Sequence, residues 1–256
     1  MIKKVLTLST SLALATALFG TTAMAAGSAP HWSYEGHAGP AHWGELSPEF
    51  KTCGMGKMQS PVDLANANAT SGVEISYDYK PVGLNIINNG HTVQFNVGNG
   101  SSMTSHGKKF NLLQVHFHTP SEHPVSGKPY AMEAHFVHKA ADGSLAVIGL
   151  FFNEGAENEA LKNVIKNAPK GNSHGAHDVA GVTVDIRSIL PANPSYYRYM
   201  GSLTTPPCSE GVNWFLVTKP VTASAQQIAA ITAAIGGENA RPAQAANNRL
   251  ILDATK

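Results

Sequence analysis

His116 and His118 are separated by a single residue in the run LLQVHFHTPSEH, Leu112 to His123. A strand turns successive side chains to opposite faces, so both imidazoles leave the same face of an otherwise apolar segment. One buried imidazole is ordinarily satisfied by a hydrogen bond. Two side by side need water or a shared cation. Further on, AMEAHFVHK places His135 on one face with Glu133 and Val137, and Phe136 and His138 on the other. If the two strands pair, three imidazoles converge. Three neutral ring nitrogens with a fourth position open to water describe a catalytic zinc site. With only two cysteines in the chain, a thiolate-rich site is excluded. Imidazole suits zinc, although ligand type alone leaves cobalt and iron open. Gln114 and Glu133 share those faces and can accept from the ligands' other ring nitrogens, which would fix their tautomers. Unrelated metal folds also use such a triad: His116 to Glu122 matches the first half of the cupin metal motif, but the later proline, glycine and histidine segment of a cupin is absent.

Several elements must position these residues. Glycine, proline and asparagine punctuate the chain densely, and the short runs between them, VEISYDY, GLNII, HTVQFNV, NLLQVHFH, MEAHFVHK and LAVIGLFF, read as strands. Helical periodicity is weaker, with candidates at NEALKNVIKNA, TVDIRSIL and SAQQIAAITAAI, the last capped by Ser224. The tail ENARPAQAANNRLILDATK holds one more strand. The expectation is a strand-rich single domain, mostly β with some α, built around a large sheet with surface helices.

The first residues, with Lys3 and Lys4, an uncharged apolar stretch and Ala23-Met24-Ala25, have the form of a secretory signal peptide, 1–25, cut after Ala25. An N-terminal anchor is the alternative. No later segment approaches the roughly 18 apolar residues a membrane helix needs. Of the 18 basic residues, Lys3 and Lys4 fall in the leader, leaving 16 against 17 acidic ones in 26–256. That near-neutral balance invites neither nucleic acid nor an anionic membrane. Export to the periplasm or the medium favours pairing of Cys53 with Cys208, two free buried thiols being the alternative.

Eight segments together, HWSYEGHAGPAHW, QSPVDL, INNGH, QVHFHTPSEH, MEAHFVH, LAVIGLFF, YRYMGSLTTPPCSEGVNW and NARPAQ, resemble the signature segments of the α-class carbonic anhydrases, in family order from His31 to Gln244. The resemblance implies a central, mainly antiparallel twisted sheet of about ten strands. It implies reversible hydration of carbon dioxide to bicarbonate and a proton, by attack of a zinc-bound hydroxide. Its zinc ligands fall on His116, His118 and His135. Its orienting pair falls on Thr204 and Glu122, the carboxylate accepting the threonine proton so that the hydroxyl can only accept from the hydroxide. The backbone N–H of Thr204 would meet the developing bicarbonate oxygen. The substrate wall maps onto Val137, Val147, Leu203, Thr204, Thr205, Val212 and Trp214. Taken alone, the apolar members are ordinary core residues.

The family's proton acceptor falls on His91, with Tyr34, Asn89 and Gln94 ordering water; an imidazole titrates near 6.5 and suits the transfer. Strict alternation through HTVQFNV puts His91 opposite Gln94, so both reach one cavity only across a bulge. His91 as a mere turn residue is the other reading. The remaining histidines carry no chemistry: His31, His37 and His42 in the glycine-rich N-terminal segment, His106 at a hairpin tip, His174 and His177 in a solvated loop, His123 and His138 in packing. Asn68-Ala69-Thr70 fits a glycosylation sequon by composition alone. Carbon dioxide and bicarbonate are the expected small-molecule partners, and the chain could pair as a homodimer. Two other classes compete: a binding module of the same fold without catalysis, which would show a replaced ligand, and a zinc-storage protein, which would have no use for Thr204 and Glu122.

Overall fold

The computed structural model describes residues 30–255, so the expected signal peptide lies outside the described residues. Its strands are β1 (Asn68–Ala69), β2 (Ile75–Asp78), β3 (Val82–Asn88), β4 (Val93–Asn96), β5 (Ser102–Ser105), β6 (Lys108–His118), β7 (Met132–Lys139), β8 (Leu145–Glu154), β9 (His177–Val184), β10 (Tyr196–Ser202), β11 (Glu210–Val217), β12 (Val221–Ala223) and β13 (Leu252–Asp253). All join one sheet, whose main path runs β1-β13-β10-β11-β8-β7-β6-β4-β3-β9, ten strands as expected. β12 adds to β8, and the β2–β5 pair to β6. The pairing is mainly antiparallel, with parallel contacts at β1/β13, β8/β11 and β8/β12.

β7 and β8 occupy the middle and are buried on both faces. One face of β7, with Ala134 and Phe136, joins the main core with Phe95, Phe117 and Ile148. The other carries Glu133, His135 and Val137 toward the cavity. This division explains why a central strand can be almost wholly buried yet hold two ionisable side chains, Glu133 and His135, on its cavity face.

The helix Ala225–Ile235 opens on a capping box, Ser224 accepting from the Gln227 N–H while the Gln227 side chain accepts from the Ser224 N–H. It closes on Gly236 at φ +96°, a left-handed position that glycine adopts without strain. Among the described residues no helix is long and apolar enough to cross a membrane.

Two expectations need correction. His177 does not lie in a loop; it begins β9 and pairs with Ile86. β9 is an edge strand, largely exposed and interrupted by Gly181 at φ +73°, so it lacks the alternation of buried and exposed residues that a half-buried strand would show. TVDIRSIL is helical only over Ile186–Ile189: Thr183 and Val184 end β9, and Asp185 caps the short helix through the Arg187 N–H.

On the core side of β7, His138 is fully buried, with Tyr79 Oη 2.6 Å from its Nε2. Burial pushes the ring down to about 3. Because this lies below the unfolded value near 6.5, the unfolded chain binds the extra proton first. Stability contributed by neutral His138 is therefore present above about pH 6.5 and is lost as pH falls toward 3. His138→Gln should flatten that limb of a melting-temperature against pH curve, and an unchanged slope would refute the assignment.

Candidate metal centre and its cavity

The register of three strands assembles the histidines. β6 and β7 set His116 opposite His135 and His118 opposite Glu133, while β4 sets Gln94 opposite His116. The ring centroids of His116, His118 and His135 lie 4.5–5.1 Å apart. Each ring has one nitrogen committed to an acceptor at 2.8 Å: His116 Nδ1 to Gln114 Oε1, His118 Nδ1 to the Asn239 carbonyl, and His135 Nε2 to Glu133 Oε1. An acceptor on one nitrogen puts the proton there and leaves the other nitrogen's lone pair free. The free set is His116 Nε2, His118 Nε2 and His135 Nδ1. One nitrogen from each of the three rings lies within 4.8 Å of the others, and His118 Nε2 is buried without a hydrogen-bond partner. Three neutral imidazoles with an unsatisfied buried lone pair are the donor set of a tetrahedral zinc site. Burial, followed by the neighbouring rings, holds His116 well below its ordinary value; burial also lowers His118, against the pull of Glu122.

The acceptors behind the rings are themselves held. Glu133 Oε1 accepts from His123 Nδ1 (2.9 Å), and Oε2 from the backbone N–H of Glu122 and His123. Burial pushes this carboxyl up, but His123 and His135 outweigh it and keep it well below the carboxylate range. His123 Nε2 lies 2.7 Å from Tyr199 Oη, which in turn meets Ser60 Oγ. Gly149 faces His135 across β7 and β8; a Cβ there would come within 2.3 Å of Leu216 and 2.8 Å of Glu133 Oε1. Only glycine leaves Glu133 room to reach His135.

Asn239 is the functional residue that strand reasoning missed. Its carbonyl holds His118, its Oδ1 accepts from the Thr119 N–H, and its Nδ2 donates to the carbonyls of His91 and Phe117. It sits in no strand, 121 residues from His118, so no periodicity could flag it. Its place in the NARPAQ segment was the available signal.

Glu122 is 2 % exposed and its Oε1 accepts from the Arg241 N–H. The expected hydrogen bond from the Thr204 hydroxyl is not formed. Glu122 Oε2 has no hydrogen-bond partner and lies 3.5 Å from His118 Nε2 and 3.9 Å from His135 Nδ1. The Thr204 N–H has no partner among the described residues. The loop that carries it is tied by Cys53–Cys208, with Cα atoms 5.0 Å apart, and by the Cys208 N–H donating to the Thr205 carbonyl. Arg241 is buried and joins these parts, donating to the carbonyls of Cys53 and Ser60 and to Gln59 Oε1.

The triad opens onto two lobes that share Gln114, His116 and Thr205. An apolar lobe of about 350 Å³ is walled by Val137, Val147, Leu203, Thr204 and Trp214. Val212 is not on that wall; it packs in the cluster behind it with Val147 and Trp214. A polar lobe of about 110 Å³ is lined by Trp32, Tyr34, Asn89, His91, Gln94 and His118, among others. Burial holds the Tyr34 hydroxyl well above its ordinary value, so it keeps its proton.

His91 and Gln94 share the polar lobe without a bulge. β4 begins only at Val93, and His91 lies in the preceding turn, where Asn89 Oδ1 accepts from the N–H groups of His91 and Thr92. Strand alternation therefore does not apply to it. Its ring stacks on Trp32 at 3.7 Å between centroids, and burial, then His31, lowers it below the ordinary imidazole value.

The family model of the eukaryotic-type carbonic anhydrases matches residues 38–255. A carbonic anhydrase of Pectobacterium carotovorum is 45% identical over 222 residues, covering 87% of this chain and 90% of that protein. One from Nostoc is 44% identical, with 88% and 86% covered. Among solved structures, the α-carbonic anhydrase of Thermovibrio ammonificans in complex with the inhibitor sulfanilamide superposes with a TM-score of 0.83 at 41% identity, covering 88% of this chain and all of that one. With the matched span running through every strand of the sheet and all three clustered histidines, the chain belongs to the eukaryotic-type, α-class carbonic anhydrase family.

Proposed function

We propose that the chain, exported and freed of its leader, hydrates carbon dioxide reversibly to bicarbonate and a proton, with a zinc ion held by His116 Nε2, His118 Nε2 and His135 Nδ1. The observation that carries this reading is the convergence of three ring nitrogens, each left free by an acceptor on the ring's other nitrogen. Zinc held there supplies Lewis acidity, and carbonic anhydrase is itself the standard example in which this brings the ionisation of water to about pH 7.

The remaining work falls to the protein. Carbon dioxide has no net charge and enters the apolar lobe against Val137, Val147, Leu203 and Trp214. The unpaired Thr204 N–H meets the oxygen on which charge develops. With the three nitrogens engaged by a cation, Glu122 Oε2 becomes the acceptor for the Thr204 hydroxyl and fixes which way that hydroxyl points. Tyr34, Asn89 and Gln94 order water in the polar lobe, and His91 accepts the proton at its rim. Stopped-flow hydration assays should show activity lost to a chelator and restored by Zn²⁺; full activity in metal-free protein would end the proposal.

His91→Ala should lower kcat in weakly buffered solution by about tenfold or more, within what a positioned proton acceptor contributes. It should leave kcat/KM nearly unchanged, because the groups that meet carbon dioxide are untouched. Added imidazole should restore much of the loss. A parallel fall in both constants with no rescue would make His91 a turn residue only.

A further inference from the structure

A row of side-chain amides crosses the sheet from the polar lobe to its edge. Gln94 Nε2 donates to Asn96 Oδ1 (2.6 Å), Asn96 Nδ2 to Asn85 Oδ1 (2.8 Å), and Asn85 Nδ2 to Asp178 Oδ1 (2.8 Å). The register supports it: Asn96 faces Asn85 across β4 and β3, and Asn85 faces Asp178 across β3 and β9. Each amide has a donor end and an acceptor end, whereas an ionised carboxylate only accepts. Asp178 thus obliges Asn85 to turn its NH₂ outward, which offers Oδ1 to Asn96. Asn96 must then likewise donate outward to Asn85 and present Oδ1 to Gln94. Gln94 ends with Nε2 committed and Oε1 left for the lobe it shares with His91.

We propose that the exposed carboxylate of Asp178 sets, through Asn85 and Asn96, which atom Gln94 shows to the water of the polar lobe. These are positioning residues for proton exit. The inference rests on the route through His91 proposed above. A water beside Gln94 Oε1 must donate to it, so its remaining hydrogen and lone pairs are directed along the lobe; a reversed amide would orient that water the opposite way. Hydrogen-bonded chains of this kind transmit polarity because each member's orientation is set by the next.

Asp178 lies exposed on an edge strand, so its replacement leaves the core alone. Asp178→Lys substitutes a group that only donates and should invert the row. The expected result is a fall in kcat in weak buffer of about two- to tenfold, the range of one net hydrogen bond, with kcat/KM unchanged. In an Asn96→Leu background, where the row is cut, Asp178→Lys should have no further effect; Asn96→Ala serves if the leucine variant melts early. An effect of equal size in the cut background would mean through-space charge and overturn the proposal, as would kcat and kcat/KM falling together. Neutron diffraction gives a readout independent of turnover, with Gln94 Nε2 on the Asn96 side in the native protein and on the cavity side in Asp178→Lys. An unchanged amide in the variant also overturns it. If His91→Ala lowers kcat while Asp178→Lys does not, the row fails and the proton route stands; if His91→Ala has no effect, that route fails by itself and the neutron result still decides the row.

Discussion

Replacing His135 with alanine is expected to abolish zinc retention and carbon dioxide hydration together. His135 comes from a different strand than His116 and His118, and its Nδ1 completes the set. Two imidazoles on one strand face cannot enclose a tetrahedral ion, so affinity should fall by more than the roughly 10–100-fold typical of losing a partner behind a ligand. The substitution also strips Glu133 of one of its two imidazole partners, leaving it on His123. Its fold should survive, because β7 keeps its backbone pairing on both sides and Phe136 keeps its place in the core. Native protein should carry one zinc per chain by elemental analysis and the variant essentially none. Full hydration by the variant would exclude this triad as the site of chemistry.

Opening the disulfide should be the largest single loss of stability. Cys53 and Cys208 are 155 residues apart, and closing a loop of that size removes denatured-state entropy worth up to about 5 kcal/mol, an upper figure because residual structure and native strain reduce it. For a chain of this size that corresponds to a fall in melting temperature of up to roughly 10–20 °C in Cys53→Ser with Cys208→Ser, or on reduction. Activity should suffer as well, since Cys208 anchors the turn of Thr204 and Thr205, and Cys53 is an acceptor for Arg241, whose own N–H holds Glu122. Two free thiols in exported protein, or an unchanged melting temperature on reduction, would contradict this account.

Sequence alone determined which faces the histidines take. Alternation along β6 and β7 is local, set by the backbone pleat, and the run MEAHFVHK coincides with β7 from Met132 to Lys139. The Ser224 cap was equally legible, because a capping box is closed within four residues. What alternation cannot encode is the partner strand or its register. A slip of one residue between β6 and β7 would have sent His135 away from His116, and only the packing of a sheet buried on both faces excludes it. The same limit hid Asn239, whose carbonyl holds His118 across 121 residues, and the Arg241 N–H on Glu122. It also misplaced His91, since the point at which a turn hands over to β4 depends on the Asn89 side chain rather than on the hydrophobic pattern. Local patterns fix orientation within an element because neighbouring residues share one backbone geometry. Tertiary structure decided the rest, because partners distant in the chain are chosen by burial and by hydrogen bonds that exist only once the sheet has closed around them.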